Sequence, residues 1–177
     1  MKQLTPQQLQ RPDLDSYRNS SRLPVCIVLD NIRSGLNVGA IFRTCDAFSI
    51  EALHLCGITV QPPHAEILKT ALGSTASVDW QYWENTLQAL EVLKGKGFTL
   101  LPVEQTDQSK PLNEMDLVGR FPLALIFGNE MRGIDPEVLS ECEISLEIPQ
   151  IGIKHSLNVA TSVGIVAWEC YRQNLLR

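Results

Sequence analysis

LDNIRSGLNVGAIFRTCDAF, residues 29–48, decides how the rest of the chain is read. It begins as the end of an apolar run, PVCIVLD over 24–30, and passes through a polar turn into a helical pattern from about Val38 to Phe48. At 100° per residue, Val38, Ile41, Phe42, Cys45 and Phe48 fall on one face, and Arg43 points nearly opposite. By itself Arg43 reads as a solvated side chain, and Asn37 as the cap that satisfies orphan N–H groups at the helix start. Gly39 resists so simple a reading. Glycine costs a helix about 1 kcal/mol relative to alanine, so its place in the first turn implies close approach by another backbone or a ligand. A strand that feeds a helix through a turn bearing Asn31, Arg33 and Asn37 is a unit from an α/β sheet, furnished with polar groups a core does not need.

The same alternation continues outward. ALHLC (52–56), FTLLPV (98–103), PLALIF (122–127) and ISLEI (144–148) read as buried strands, with VDWQYW (78–83) a weaker one. Between them lie helical patterns around Glu66–Leu72 and in ENTLQALEVLKGKG (84–97), the latter stopped by Gly95 or Gly97, and a last one from about Ser156 to Leu175. Alternating strands and helices predict an open, mostly parallel sheet with helices on both faces. The last helix is apolar nearly all round and rich in small residues, which predicts complete burial or packing against a second subunit.

With 177 residues the chain fits one domain. Residues 1–22 are polar and read as an N-terminal extension, with a short helix after Pro6, to a domain over 23–177. Hydrophobic residues make up 44% and charged residues 20%, which excludes a disordered chain. No apolar run reaches the roughly 20 residues that span a bilayer, and no apolar signal core precedes Arg22. A cytoplasmic location is expected. The five cysteines, Cys26, Cys45, Cys56, Cys142 and Cys170, show no metal-ligand spacing and read as free, mostly buried thiols.

A net charge of −5 argues against a broad phosphate-gripping face. Arg18, Arg22, Arg33 and Arg43 nevertheless stand against only Asp30 between residues 18 and 43, leaving room for a small basic mouth.

Two later stretches share the layout of the first: strand end, Gly-containing loop, Asn or Glu at the tip. FGNEMRGID (127–135) follows the PLALIF strand, where Gly128 would let a ligand approach and Asn129 and Glu130 offer hydrogen bonds. IPQIGIKHSLNVATSVGIVAWE (148–169) places Ser156 at the mouth of the last helix, as a possible cap, and Asn158 in its first turn. Ligands in open α/β sheets bind outside the carboxyl ends of strands. No GxGxxG follows the first strand, and no lysine completes a phosphate loop.

Taken together, N-V-G-A-I-F-R-T, G-N-E-M-R-G and I-P-x-x-G-x-x-x-S-L-N-V, in this order, resemble the SpoU/TrmH branch of the SPOUT RNA methyltransferases over about residues 24–170. The resemblance implies a homodimeric α/β domain with a C-terminal trefoil knot, an exception to the rule against knots. It implies S-adenosylmethionine as cofactor, tRNA or rRNA as partner, and methyl transfer to a ribose 2′-hydroxyl. Carried onto this chain, Asn37, Arg43, Glu130, Ser156 and Asn158 would form the catalytic set. Leu125, Ile126, Phe127, Gly128, Asn129, Ile148, Gln150, Ser156 and Leu157 would hold the cofactor.

The chemistry asks for little else. A sulfonium leaving group supplies drive, so alignment of hydroxyl, methyl and sulfur and management of one proton remain. No metal is needed. A guanidinium has donors and no acceptor, so Arg43 suits fixing a phosphate and stabilising developing alkoxide charge better than taking the proton. Glu130 or water could take it. The modest basic surface favours a compact target such as a tRNA loop. Base methylation, or RNA binding without chemistry, are the alternative readings.

Overall fold

The computed structural model describes residues 1–9 and 11–176. Its centre is a five-stranded sheet in the order β3-β2-β1-β6-β4, formed by β1 (Leu23–Asp30), β2 (Ile50–Cys56), β3 (Trp80–Trp83), β4 (Thr99–Pro102) and β6 (Leu123–Phe127). Every neighbouring pair in it is parallel. β1 lies in the middle, and its alternation sorts the two cores. Val25, Ile27 and Leu29 pack with α2 (Gly35–Ala47), α3 (Ala65–Ala71) and α6 (Val159–Asn174). Cys26 and Val28 pack with α4 (Thr86–Gly95) and α5 (Pro136–Ser140). The α/β sheet covered on both faces is thus as expected, and the weak strand candidate at 78–83 is real.

ISLEI does not join that sheet. β7 (Ser145–Glu147) pairs instead with β5 (Ser109–Pro111) in a separate two-stranded parallel sheet, touching the β4 continuation only at Val103↔Leu146. Its sequence explains the choice: Leu146 is buried, while Ser145 and Glu147 meet the hydroxyls of Thr106 and Ser109, both at 2.7 Å. Neither β5 nor α5 was expected. The signal for α5 was present, with Asp135 capping Glu137 N at 2.9 Å and Pro136 at the first helical position.

Both helix starts at the motifs also differ from the reading. Ser34 caps α2, its hydroxyl accepting from Asn37 N at 3.3 Å, so Asn37 lies one turn inside and its side chain is free for other work. Asn158 caps α6, accepting from Ala160 N at 3.0 Å and Thr161 N at 3.4 Å, so Ser156 precedes the helix rather than capping it.

The extension is anchored. After one 3-10 turn, Pro6–Leu9, comes α1 (Leu14–Arg18), from which the Tyr17 hydroxyl donates to the Asp46 carbonyl at 2.9 Å. Arg18 Nη2 donates to the Ala76 carbonyl at 2.6 Å, and Arg22 stacks on the Tyr17 ring at 4.2 Å. These contacts lie at the amino ends of the strands. The four arginines therefore do not gather into one basic mouth: docking the extension consumes two of them, and Arg33 and Arg43 are exposed elsewhere.

Among the described residues no helix is long and apolar enough to cross a membrane. Cys26, Cys45, Cys56 and Cys170 are buried free thiols and Cys142 is half-buried. Burial pushes the Cys26, Cys56 and Cys170 thiols up to about 12.

Gly39 is explained by helix crossing. A Cβ there would stand 2.1 Å from Thr70 Oγ1 and 2.4 Å from the Ile67 carbonyl oxygen, so α2 and α3 meet backbone to backbone. Despite alanine's better helix propensity, Gly39→Ala is expected to lower stability by about 1–3 kcal/mol through overpacking, measured by urea unfolding. His54 offers a pH test. It is buried in β2, its Nδ1 accepts from Trp83 Nε1 at 2.9 Å, and desolvation pushes its pKa down to about 4. The unfolded chain binds this proton below about pH 6.5 while the folded chain does not until about pH 4, so stability falls as pH drops through that window. Between pH 7.5 and 5 the wild type should lose about 2 kcal/mol that His54→Gln does not lose.

Candidate active site at the carboxyl ends of the strands

Asp30, the last residue of β1, is 2% exposed. A carboxylate so placed needs hydrogen-bond partners on both oxygens, and it has them. Oδ1 accepts from Thr86 Oγ1 and, at 2.9 Å, from Asn31 Nδ2, while Oδ2 accepts from Asp135 N at 3.0 Å. Asn31 next to it adopts a left-handed conformation, φ 59, that Asn tolerates better than most residues. Its Oδ1 accepts from Ile58 N at 3.1 Å and its carbonyl from Asn129 Nδ2 at 2.7 Å. Asn31 is thus a brace joining the strand end to the turn after β6.

That turn is closed on itself. Asn129 and Gly133 exchange backbone hydrogen bonds at 2.9 and 2.8 Å, and Asn129 Oδ1 accepts from the N–H groups of Met131 and Arg132. Gly128 serves this closure: a Cβ on it would sit 2.2 Å from Gly133 C and Ile134 N. Backbone of the turn fills the space a Gly128 side chain would need, while Gly128 itself still lines the cavity at the strand ends. The Asn129 side chain is likewise spent, its Oδ1 on the turn and its Nδ2 on the Asn31 carbonyl.

Glu130 rides at the tip, exposed, and here the three motif segments meet. Asn158 Nδ2 donates to Asn37 Oδ1 at 3.0 Å, and Asn37 Nδ2 donates to Glu130 Oε1 at 3.0 Å. Residues 121 and 93 positions apart in the chain are joined in one relay. Beside it opens a cavity of about 500 Å³, within the range of about 300–1,000 Å³ that takes small-molecule ligands. Glu130, Ser156 and Asn158 line it, as do Phe127, Gly128, Asn129, Ile148, Gln150 and Leu157.

Four expected residues fall outside the lining, and of these Asn37 still reaches the rim through its bonds to Asn158 and Glu130. Leu125 and Ile126 are fully buried inside β6, where the Ile126 carbonyl accepts from Val103 N at 2.8 Å as part of the sheet ladder. They support the cavity floor without reaching it. Arg43 lies six residues beyond Asn37 on α2, about 9 Å along the axis and turned away. It is exposed, makes no hydrogen bond or ion pair among the described residues, and does not line its own chain's cavity.

The structure also adds residues that the reading missed. Glu104 and Gln105, just past β4, and Glu147 of β7 line the cavity. The signal was available: EQT (104–106) follows the FTLLPV run directly, another polar group at a strand's carboxyl end. Three carboxylates, Glu104, Glu130 and Glu147, give the cavity an acidic lining, and none is in an ion pair among the described residues. Among those residues no cluster of His, Cys, Asp and Glu could hold a metal ion.

The parallel α/β sheet thus carries a ligand-sized acidic cavity at its strand ends, rimmed by an Asn–Asn–Glu relay, where open α/β sheets bind their ligands. The family model described as SpoU rRNA Methylase matches residues 24–168, and the chain belongs to that family. It is 31% identical over 153 residues to the tRNA (guanosine(18)-2'-O)-methyltransferase of Aquifex aeolicus strain VF5, a match covering 83% of this chain and 68% of that protein. An AdoMet-bound rRNA methyltransferase from Sinorhizobium meliloti superposes with a TM-score of 0.79 at 27% identity. That match covers 88% of this chain and 62% of the other, so this chain spans somewhat under two thirds of it. A structure described in terms of 2-OH methylation of C/U34 on tRNA gives a TM-score of 0.77 at 29% identity, covering 86% of this chain and 97% of that one.

Proposed function

We infer that the protein is an S-adenosylmethionine-dependent RNA methyltransferase that acts on a ribose 2′-hydroxyl, with tRNA the favoured substrate. The observation that carries this reading is the Asn158–Asn37–Glu130 relay, which draws the three family motifs to one cavity rim. The tRNA preference rests on the curated relative from Aquifex aeolicus and on the tRNA enzyme of nearly the same length. A cytoplasmic location accords with that substrate.

The cavity fits the cofactor in chemistry as well as size. Carboxylates suit a ligand bearing sulfonium and ammonium charges, and Phe127, Ile148 and Leu157 offer apolar surface for an adenine ring. S-adenosylmethionine held there would supply an electrophilic methyl group on a sulfonium whose product is a neutral thioether. The chain's own task is alignment and charge management. Asn37 and Asn158 fix Glu130 and present amide groups toward the ribose, Ser156 adds a hydroxyl at the rim, and the hydroxyl proton is released toward the open mouth where Glu130 is exposed. Backbone from Phe127 to Asn129 and around Ile148, Gln150 and Leu157 holds the nucleoside part.

Arg43 fits this scheme as a group given to a second subunit's site. The outer face of α6 supports a dimer. Ile165, Trp168 and Tyr171 are exposed there, and Trp168 and Tyr171 stack with Phe48 at about 6 Å, an apolar patch with no cover in one chain. Packing two such faces together buries the patch and brings Arg43 of one copy toward the other's RNA, where it grips the phosphate beside the target ribose. The C-terminal trefoil knot belongs to the same reading. After β6 the chain crosses to pair β7 with β5 beside β4, then returns so that α6 packs on α2 and β1. In this scheme residues 1–22 are an extension to a catalytic domain spanning 23–177.

Purified protein given S-adenosylmethionine and unmodified tRNA should yield one 2′-O-methyl nucleoside by mass spectrometry. Arg43→Ala should keep cofactor binding and lose transfer by about 10²-fold or more, the scale for removing one charge-stabilising group; near-normal turnover would remove Arg43 from the mechanism. Sedimentation at micromolar concentration should return twice the chain mass, and a monomer there overturns the dimer.

A further inference from the structure

Glu104 has the geometry of a ligand-recognition residue, and no family motif in the sequence includes it. It stands immediately beyond β4, pinned by backbone on both sides: Val103 N donates to the Ile126 carbonyl at 2.8 Å and Glu104 N to the Leu146 carbonyl at 2.9 Å. Its side chain is fixed as well. Oε1 accepts from Gln105 N at 3.0 Å and Oε2 from Ile134 N at 3.3 Å. Oε2 also lies so close to Gly133 that a Cβ there would approach it to 2.6 Å, and Gly133 has φ +69, so the close fit depends on a glycine. The half-buried carboxylate lines the cavity and has no cationic partner among the described residues, whose ion pairs are Lys94–Glu141 and Arg172–Glu169.

A carboxylate has about four acceptor positions, and the two backbone N–H groups occupy one on each oxygen. One acceptor site per oxygen is left, side by side on a rigid group. That pair matches two neighbouring hydroxyl donors. It repels a carboxylate and has nothing to give an adenine ring nitrogen. The position along the site agrees. Glu104 touches the root of the 129–133 turn, at Gly133 and Ile134, whereas reaction occurs at its tip, at Glu130. The nucleoside sugar, between adenine and sulfur, belongs at the root. A carboxylate at a strand end taking ribose hydroxyls is also a recurrent solution in doubly wound folds.

We propose that Glu104 recognises the cis-diol of the cofactor ribose, accepting hydrogen bonds from its 2′- and 3′-hydroxyls. This rests on the cavity being the S-adenosylmethionine site. The bonds are charge-assisted and stronger than those a neutral amide would accept.

The test is calorimetry with S-adenosylhomocysteine and its 2′,3′-dideoxyribose counterpart, on wild type and Glu104→Gln. Wild type should prefer the ribose form by about tenfold or more, and Glu104→Gln should reduce that preference to about two- to threefold, the change expected on losing charge-assisted bonds. Equal binding of both forms by wild type overturns the assignment without any variant, so a poorly folding Glu104→Gln leaves the idea testable. A variant that weakens both ligands alike makes Glu104 a brace for the turn or a partner of the ammonium or adenine amino group, and either overturns the proposal. A variant that weakens S-adenosylmethionine far more than S-adenosylhomocysteine places Glu104 at the sulfonium, which also overturns it. Wild type that binds no adenosyl ligand rejects the cofactor reading itself, an outcome distinct from binding without ribose preference.

Discussion

The structure is organised around a buried carboxylate at the end of its central strand. Asp30 is the one acidic side chain that β1 carries into the core, and burying it is tolerable only because Thr86, Asn31 and the Asp135 N–H all bond to it. Those partners come from α4, from the turn after β1 and from the start of α5. Satisfying one desolvated group therefore fixes where three connections leave the sheet. Asn31 extends the hold to Asn129, and Asn129 shapes the turn that presents Glu130. The position of the carboxylate at the cavity rim is inherited, bond by bond, from the innermost one.

The sheet and its helices were largely legible because hydrophobic runs and helical periods are local signals. Strands 24–30, 52–56 and 122–127 were readable as apolar runs bounded by turns, and Gly39 announced a close approach that proved to be the α2–α3 crossing. What failed was what depends on pairing. ISLEI has the look of a strand, but whether it joins the large sheet or makes a small one is decided by Thr106 and Ser109, far away in sequence. Helix starts were displaced for a similar reason: Ser34 and Ser156 are both reasonable caps, and only the fold selects the first and passes over the second for Asn158.

The site shows the same division. Asn37, Glu130, Ser156 and Asn158 stood out as polar residues at strand ends and helix mouths, and the structure gathers them. Leu125 and Ile126, expected at the cofactor, are an apolar pair inside a fully buried strand, with the Ile126 carbonyl committed to the ladder. Gly128 lines the cavity, but what its missing Cβ makes room for is the chain's own return. Glu104 went unread because its partners, Ile134 N and Gly133, are thirty or so positions downstream. Residues whose purpose is to touch something distant in the chain give the weakest local trace.

Arg43 lies outside the cavity lined by Glu130 and Asn158 of its own chain. On the proposed pairing, each centre is a composite of two polypeptides. Genetic behaviour then follows from geometry. Coexpressed with a copy lacking Glu130, a copy lacking Arg43 can assemble a mixed pair in which one of two centres regains a full complement of groups, although neither parent alone has any. Heterozygous lesions in such a molecule would not simply subtract; some combinations would mend each other.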